Sequence, residues 1–323
     1  MDKNYDLIIV GAGPIGIACA LEAQKRGWSY TIIEKGTLVN SLYHYPKGMQ
    51  FFSSSDNLEL DNIPFLCKEP KPFRSEALQY YRVVAQSRNL NIKLFERVNT
   101  THKTPDGNFS ITTSKGAYRC SNLVIATGFY DYSNKLSIPG EELEHVRHYF
   151  DDAHFYANQR VAIIGANNSA VDAALQCYRA GAKVEMIIRG DSIGERVKYW
   201  VRPEIINRIA DGSITAHYQS HLKEIHDDYL LISTENGTEK IDIDYVLLMI
   251  GYRPDYDLLK QAGVTFENDT MQTPKYDPET LETEVKGLFL AGVVLGGLKT
   301  NAWFIDNSRD HGVKICDAIQ KRA

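Results

Sequence analysis

The chain has 323 residues, enough for about two domains of ordinary size. Apolar residues make up 43% and charged residues 24%, which excludes a disordered, collagen-like or coiled-coil chain. With 36 basic against 41 acidic residues the formal charge is −5, so no polyanion-binding surface is signalled and nucleic acid is not expected as a partner. The five cysteines, Cys19, Cys67, Cys120, Cys177 and Cys316, lie at least 48 residues apart. Without a Cys-x-x-Cys there is neither a local redox dithiol nor a zinc knuckle, and a reduced, cytoplasmic protein is expected.

The first apolar stretch, Leu7 to Leu21, is not read as a leader or a membrane span. Its flank, Asp2 to Asp6, carries no net positive charge, and its 15 residues fall short of the ~20 needed to cross a bilayer. It reads as a buried strand, Tyr5 to Val10, followed by a buried helix running to about Arg26. Between them stands Gly11-Ala12-Gly13-Pro14-Ile15-Gly16. A second strand, Ser29 to Ile33, ends at Glu34, which lies 23 residues after Gly11. Strand, glycine turn, helix, strand and acid at this spacing form a dinucleotide-binding fingerprint. Gly11 permits the tight turn, Gly13 lets a pyrophosphate approach the backbone, and Gly16 lets helix and strand pack closely. The helix N-terminus offers free N–H groups to phosphates. Glu34 suits both hydroxyls of an adenosine ribose, as in FAD or NAD, and would repel a 2′-phosphate.

The design then repeats. A strand from Arg160 to Ile164 enters Gly165-Ala166-Asn167-Asn168-Ser169-Ala170. A helix follows to about Arg179, then a strand from Lys183 to Ile188. Where the first copy has its acid, this one has Arg189, 24 residues after Gly165, and Lys198 comes nine residues later. Basic groups there suit a 2′-phosphate, so this copy is expected to take NADPH; the alternative is a solvated basic surface.

Each copy is followed by a β-meander and a closing apolar strand. After the first come strands Asn91 to Val98, Phe109 to Thr113 and Tyr118 to Cys120, then Leu123 to Gly128 through Ala126-Thr127. After the second come Ile214 to Ile225, Tyr229 to Thr234 and Lys240 to Ile243, then Val246 to Gly251 and Tyr252-Arg253-Pro254. Turn pairs such as Asp106-Gly107 and Asn236-Gly237 punctuate them. A further strand, Gly287 to Val293, is expected to return to the first domain, ahead of a last helix from Ala302 to Arg322. The internal repeat carries more weight than any single motif.

Two dinucleotide folds closed by Ala-Thr-Gly and Ile-Gly-Tyr-Arg-Pro strands resemble the pyridine nucleotide-disulfide oxidoreductases. The length resembles the thioredoxin reductase branch, yet the region from Tyr130 to Arg160, where that branch carries its dithiol, has no cysteine. Glu34-Lys35-Gly36, Tyr43 to Pro46, Phe51 to Ser55, Lys198 to Val201, Ala291-Gly292-Val293, Phe304 to Asn307 and His311-Gly312 resemble the bacillithiol-disulfide reductase, or YpdA-like, family. The resemblance implies an α/β fold of two Rossmann-like, three-layer ββα domains. Residues 1–130 plus 254–323 would bind FAD and residues 131–253 NADPH, with two crossings that allow rotation of one domain on the other.

It also implies the site. FAD would lie on Gly11, Gly13, Pro14, Ile15 and Gly16, with Glu34 on the ribose and Lys35 and Tyr43 nearby. Val98, closing its strand, would reach adenine through its backbone. Ala126, Thr127, Gly128, Gly292 and Val293 would border the pyrophosphate and ribityl chain. Val293 stands where most relatives carry an aspartate, as in YpdA-like proteins. Asn301, at the start of the last helix, would turn that helix's positive end toward flavin N1 and O2. NADPH would use Gly165, Asn167, Asn168, Ser169, Ala170, Arg189, Lys198 and Gly251. No catalytic side chain and no metal ligand is assigned.

One departure stands out. Many YpdA-like proteins have a cysteine after the proline of the first glycine motif, and this chain has Ile15. Cys19, one helical turn on, is expected to face helix packing. The loop Tyr43 to Ser55 reads equally as a flavin cover or as a surface loop, and His311 as a flavin-edge residue or as a helix-capping or surface one. His217 and His221, about 13 Å apart along a strand, cannot share a zinc. The expected function is NADPH-driven reduction, through FAD, of a low-molecular-weight disulfide, bacillithiol disulfide being the candidate, in a homodimer without membrane contact. A ferredoxin- or flavodoxin-NADP reductase with a small electron-transfer protein as partner, and a flavin redox sensor without turnover, are the alternatives.

Overall fold

The computed structural model describes residues 3–322, which divide into two compact units. The first comprises residues 3–44, 50–132 and 252–322, and the second residues 45–49 and 133–251.

In the first unit, strand β1 (Lys3–Val10) runs into helix α1 (Pro14–Lys25) and then strand β2 (Tyr30–Ile33). Helix α2 (Arg74–Ser87) precedes strands β3 (Ile92–Lys93), β4 (Val98–Lys103), β5 (Phe109–Thr113) and β6 (Ala117–Ile125). These form a seven-stranded sheet in the order β3-β2-β1-β6-β5-β4, with the return strand Leu288–Leu290 added parallel to β6. The four strands from β3 to β6 in that order are parallel, whereas β4 and β5 are antiparallel additions. Helix α1 is buried on nearly every side (Ile15, Ile17, Cys19, Leu21 and Ala23 among others). Such all-round apolarity marks a helix enclosed by protein rather than one lying at a surface. Its outer neighbour is the terminal helix, His311–Gln320. Gly312 makes that packing close, since a β-carbon there would stand 2.7 Å from the Ala18 carbonyl oxygen.

In the second unit, strand β7 (Arg160–Ile164), helix α3 (Asn168–Arg179), strand β8 (Lys183–Ile187) and strand β9 (Tyr245–Leu248) repeat the first βαβ unit and its closing strand. They lie in a five-stranded parallel sheet, flanked by Thr215–His217 and Val146–Arg147. The meander here forms its own antiparallel sheet of three strands, between His221 and Asp242.

Three expectations are corrected. Val98 does not close a strand begun at Asn91; it opens β4, after a break at 94–97. The last helix starts at His311, not Ala302, so Asn301 is an exposed turn residue far short of its N-terminus. The cause is local: Asn307 accepts the Phe304 N–H at 2.7 Å and donates to the Ala302 carbonyl at 3.0 Å, a side-chain turn that competes with helix. The two meanders also differ. In the first unit the third meander strand and the closing strand are one continuous strand, β6. In the second, Asp244 accepts the Arg160 amide at 2.7 Å and interrupts the run before β9.

Gly312→Ala is expected to destabilise the first unit by roughly 1–3 kcal/mol through overpacking on α1, read as a lower midpoint in thermal unfolding.

Candidate functional site

Four parallel strands of the first unit end level with one another. In register, Val10 faces Ile33 on one side and Ile125 on the other, and Ile125 faces Leu290. The segments leaving those ends are Gly11–Gly16, Glu34–Gly36, Ala126–Gly128 and Ala291–Val293. Ligands of parallel α/β sheets lie outside the carboxyl ends of the strands, and these are those ends.

Gly11 sits at φ +107, and a β-carbon on it would stand 2.5 Å from the Ala126 carbonyl oxygen. Only glycine fits both the angle and the contact. Gly16 is pressed against the Gly11 carbonyl in the same way. Gly13 differs, because nothing lies within 4 Å of a β-carbon there, so the backbone fronts open space. It is also the N-cap of α1, without a side-chain cap and without an acid in the first turn, which leaves the helix's first N–H groups for an anion. Pro14 and Ile15 are buried in that first turn.

Glu34 is buried, with one carboxylate oxygen accepting the Ala12 N–H at 2.8 Å and the other the Gly36 N–H at 2.9 Å. Burial pushes its pKa up, and the two amides oppose that shift. Each oxygen keeps lone-pair capacity for a hydroxyl. Lys35 is not a free cation, being paired with Asp131 at 2.6 Å. Thr127 Oγ1 is buried with no hydrogen-bond partner among the described residues. An open glycine backbone, an uncapped helix end, an oriented carboxylate and an unsatisfied hydroxyl in one row fit the diphosphate and ribose of FAD.

Around this row, Gly292 at φ +79 packs on the Ile15 side chain and donates its N–H to His311 Nδ1 at 3.0 Å. The beginning of the terminal helix, not Asn301, is therefore what meets the glycine row. Val293 and Ser41 both stand about 4 Å from a β-carbon on Gly128. Ser41 is absent from the sequence-derived site, and no spacing rule would have placed it; His311, weighed as a flavin-edge residue, is fully buried at the start of the terminal helix. The Ser41 loop is fixed by Val39, buried and left-handed at φ +49, whose N–H donates to the Ala12 carbonyl at 3.1 Å. Such backbone strain in a β-branched residue is an outlier of the kind found at ligand sites. Tyr43 is 52% exposed; Arg74 donates to its carbonyl and lies over its ring. Val98 lies half-buried at the start of β4.

The second unit repeats this geometry. The Gly165 N–H donates to Ile187 at 3.1 Å as Gly11 does to Ile33 at 2.9 Å, and Met249 donates to Ile164 at 3.0 Å as Ala126 does to Val10 at 2.8 Å. Gly165 is at φ +131, and its β-carbon would stand 2.6 Å from the Met249 carbonyl oxygen and 3.2 Å from Ala170. Asn167 caps α3 without a side-chain bond and is exposed, as is Ser169. Gly251, at φ +93, lies just beyond the Met249 end of the same closing segment.

The basic residues sort themselves differently from expectation. Arg189 is exposed and has no ion pair among the described residues. Lys198 is buried instead, its ammonium 2.6 Å from Asp172 of α3. Asn168 clamps the same loop, accepting the Lys198 N–H at 2.9 Å and donating to the Arg196 carbonyl at 3.1 Å. The exposed cation delivered beside the helix end is thus Arg196, which sequence reasoning missed and Lys198 was expected to supply.

Among the described residues no cluster of His, Cys, Asp and Glu could hold a metal ion, and no helix is long and apolar enough to cross a membrane. A cavity of about 560 Å³ is lined by Leu21, Glu22 and Asp61 among others, and by none of the glycine-row residues.

The pyridine nucleotide-disulphide oxidoreductase family model matches residues 8–292, which include both glycine turns. The chain belongs to that family. Pyridine nucleotide-disulphide oxidoreductases work with FAD and NADPH, and this chain is such an enzyme. It is 39% identical to bacilliredoxin reductase Bdr of Bacillus subtilis, over 98% of this chain and 97% of that one. The solved bacillithiol disulfide reductases Bdr (YpdA) of Staphylococcus aureus and Bacillus cereus superpose with TM-scores of 0.96. They are 38% and 37% identical, covering 99% of this chain and 99% and 100% of theirs.

His311 is fully buried, and burial pushes its pKa down to about 4, so it folds neutral. An unfolded histidine titrates near 6.5, so between these values the unfolded state binds more protons and stability falls as pH falls. The contribution is complete above about pH 6.5. In urea unfolding, the wild type is expected to lose about 2 kcal/mol more than His311→Gln between pH 7 and pH 4.5; equal losses would contradict a neutral buried imidazole.

Proposed function

We propose that the enzyme reduces a low-molecular-weight disulfide with NADPH, bacillithiol disulfide being the substrate, with FAD held by the first unit and NADPH by the second. The observation that carries this reading is the asymmetry between two otherwise equivalent turns. The first is followed by a buried acid suited to a free ribose, and the second by exposed arginines suited to a 2′-phosphate. The bacillithiol disulfide reductases that match nearly the whole chain support the substrate.

Bound FAD supplies hydride acceptance from NADPH and delivery of the electron pair to the substrate disulfide. The chain's residues bind and orient. The α1 amides and Thr127 hold diphosphate, Glu34 takes the ribose hydroxyls, and Gly292 and Val293 border the ribityl chain. Val98 offers backbone to adenine, and Ser41, on the loop from Val39 to Tyr43, stands beside Gly128. In the second unit the amides of Asn168 to Ala170 take the NADPH diphosphate and Arg189 and Arg196 its 2′-phosphate. Lys198 acts through Asp172, fixing the loop that bears Arg196. Overall, NADPH, a proton and the disulfide give NADP+ and two thiols.

No thiol of α1 relays electrons in this reading. Ile15 occupies the relatives' cysteine position, and Cys19 is fully buried with its thiol pushed well above the ordinary range by burial. All five cysteines are free, which supports a reducing compartment, and the resemblance supports a homodimer in the cytoplasm.

Steady-state NADPH oxidation driven by bacillithiol disulfide tests the function; turnover only with ferredoxin, or a single stoichiometric reduction, would contradict it. Cys19→Ala is expected to keep that turnover, and its loss would restore a thiol relay. Arg189→Ala is expected to raise KM for NADPH roughly tenfold and leave KM for NADH unchanged. Lys198→Met, by leaving half-buried Asp172 without its partner, is expected instead to lower the thermal midpoint and weaken both nucleotides.

A further inference from the structure

A half-buried cation of the second unit lacks a counter-charge. Arg202 opens the helix Arg202–Ala210, which packs on α3. Its side chain makes no hydrogen bond and no ion pair among the described residues, and its Nε is enclosed without an acceptor. The two terminal nitrogens are not enclosed, so the end of the guanidinium is open to a ligand. Arginine is always charged, and a charge partly withdrawn from water is unfavourable unless it is paired. Each of the two helices carries one acid, and both acids are taken. Asp172 of α3 pairs with Lys198 at 2.6 Å, and Glu204 pairs with Arg179. Backbone contacts tie Arg202 to the start of α3. Its N–H donates to the Lys198 carbonyl at 2.9 Å, and the Lys198 N–H donates to the Asn168 side chain at 2.9 Å. Asn168 is the first residue of α3, whose first turn holds no acid.

We propose that Arg202 is an anion-binding residue of the second unit and that its ligand is a phosphate of the nucleotide bound there. The proposal rests on NADPH binding by that unit and adds a residue to it. Arg189 and Arg196 stand in solvent, which screens them, whereas Arg202 holds its charge in a partly dry setting where an anion is felt more strongly. With Nε enclosed, the two terminal nitrogens form a fork for two oxygens of one phosphate, a geometry that a lysine ammonium cannot reproduce.

The test uses the full-length, FAD-loaded enzyme as wild type, Arg202→Met and Arg202→Lys. Calorimetry gives dissociation constants for NADP+ and NAD+, steady-state assays give KM for bacillithiol disulfide, and thermal midpoints are taken without nucleotide. The methionine variant is expected to bind NADP+ about tenfold more weakly, the equivalent of one lost charge-assisted hydrogen bond, and the lysine variant about threefold more weakly. An unchanged constant for NAD+ assigns Arg202 to the 2′-phosphate and an equal loss assigns it to the diphosphate; either upholds the proposal. Without nucleotide the methionine variant is expected to melt no lower than wild type, because it removes an unpaired charge. An arginine serving only the fold would lower that midpoint and leave both constants within twofold, which overturns the proposal, as does an effect confined to KM for the disulfide. If the methionine variant does not fold, the Nε–H resonance of the 15N-labelled wild type, identified by its loss in Arg202→Lys, decides: it is expected to move when NADP+ binds, and an unmoved resonance overturns the proposal. A wild type that binds neither nucleotide would overturn the NADPH reading of the second unit itself, whereas variants that match a wild type binding NADP+ overturn only the role of Arg202.

Discussion

The architecture of each unit depends on a glycine lying flat against the carbonyl that ends the neighbouring strand. Gly11 meets Ala126 and Gly165 meets Met249, at separations no β-carbon could share. That contact brings the glycine turn, the acidic or basic residue after the second strand and the closing loop to one edge of the sheet. It also aims an uncapped helix end across that edge. Any larger residue would push the closing strand away and, with it, Thr127 in one unit or the Gly251 end in the other. Each edge is therefore built on a backbone contact, and the side chains set its charge.

That charge differs in sign between the two units at one position. In the first unit Glu34 is buried and tied to two amides, so a phosphate beside it would meet a fixed negative charge with little solvent to screen it. In the second unit the corresponding residue, Arg189, stands in solvent, and Arg196 is brought to the same helix end by the Asn168 clamp. The pairing of Lys198 with Asp172 shows that a basic residue near a helix end can serve the scaffold instead of a ligand.

What was legible in the sequence was what short-range sterics dictates. The glycines at 11, 13 and 16, the acid at 34 and their counterparts from 165 to 189 follow from backbone geometry within a single βαβ unit, and the structure places them so. The return strand at Leu288–Leu290 was legible because an isolated apolar run must find a sheet. What escaped depends on partners distant in sequence. Lys198 looks the same in sequence whether it faces a phosphate or Asp172. The Asn307 turn delays the last helix to His311, beyond what apolar periodicity registers. Ser41 comes near Gly128 only through the strained turn at Val39, and His311 joins the glycine row only because Gly312 lets two helices touch.

The most direct check on two nucleotide edges serving one electron path is an anaerobic titration of the FAD-loaded enzyme with NADPH, followed in the visible flavin band. The account predicts stoichiometric bleaching by NADPH, with the colour restored on adding bacillithiol disulfide. A flavin band that NADPH leaves unchanged would contradict it.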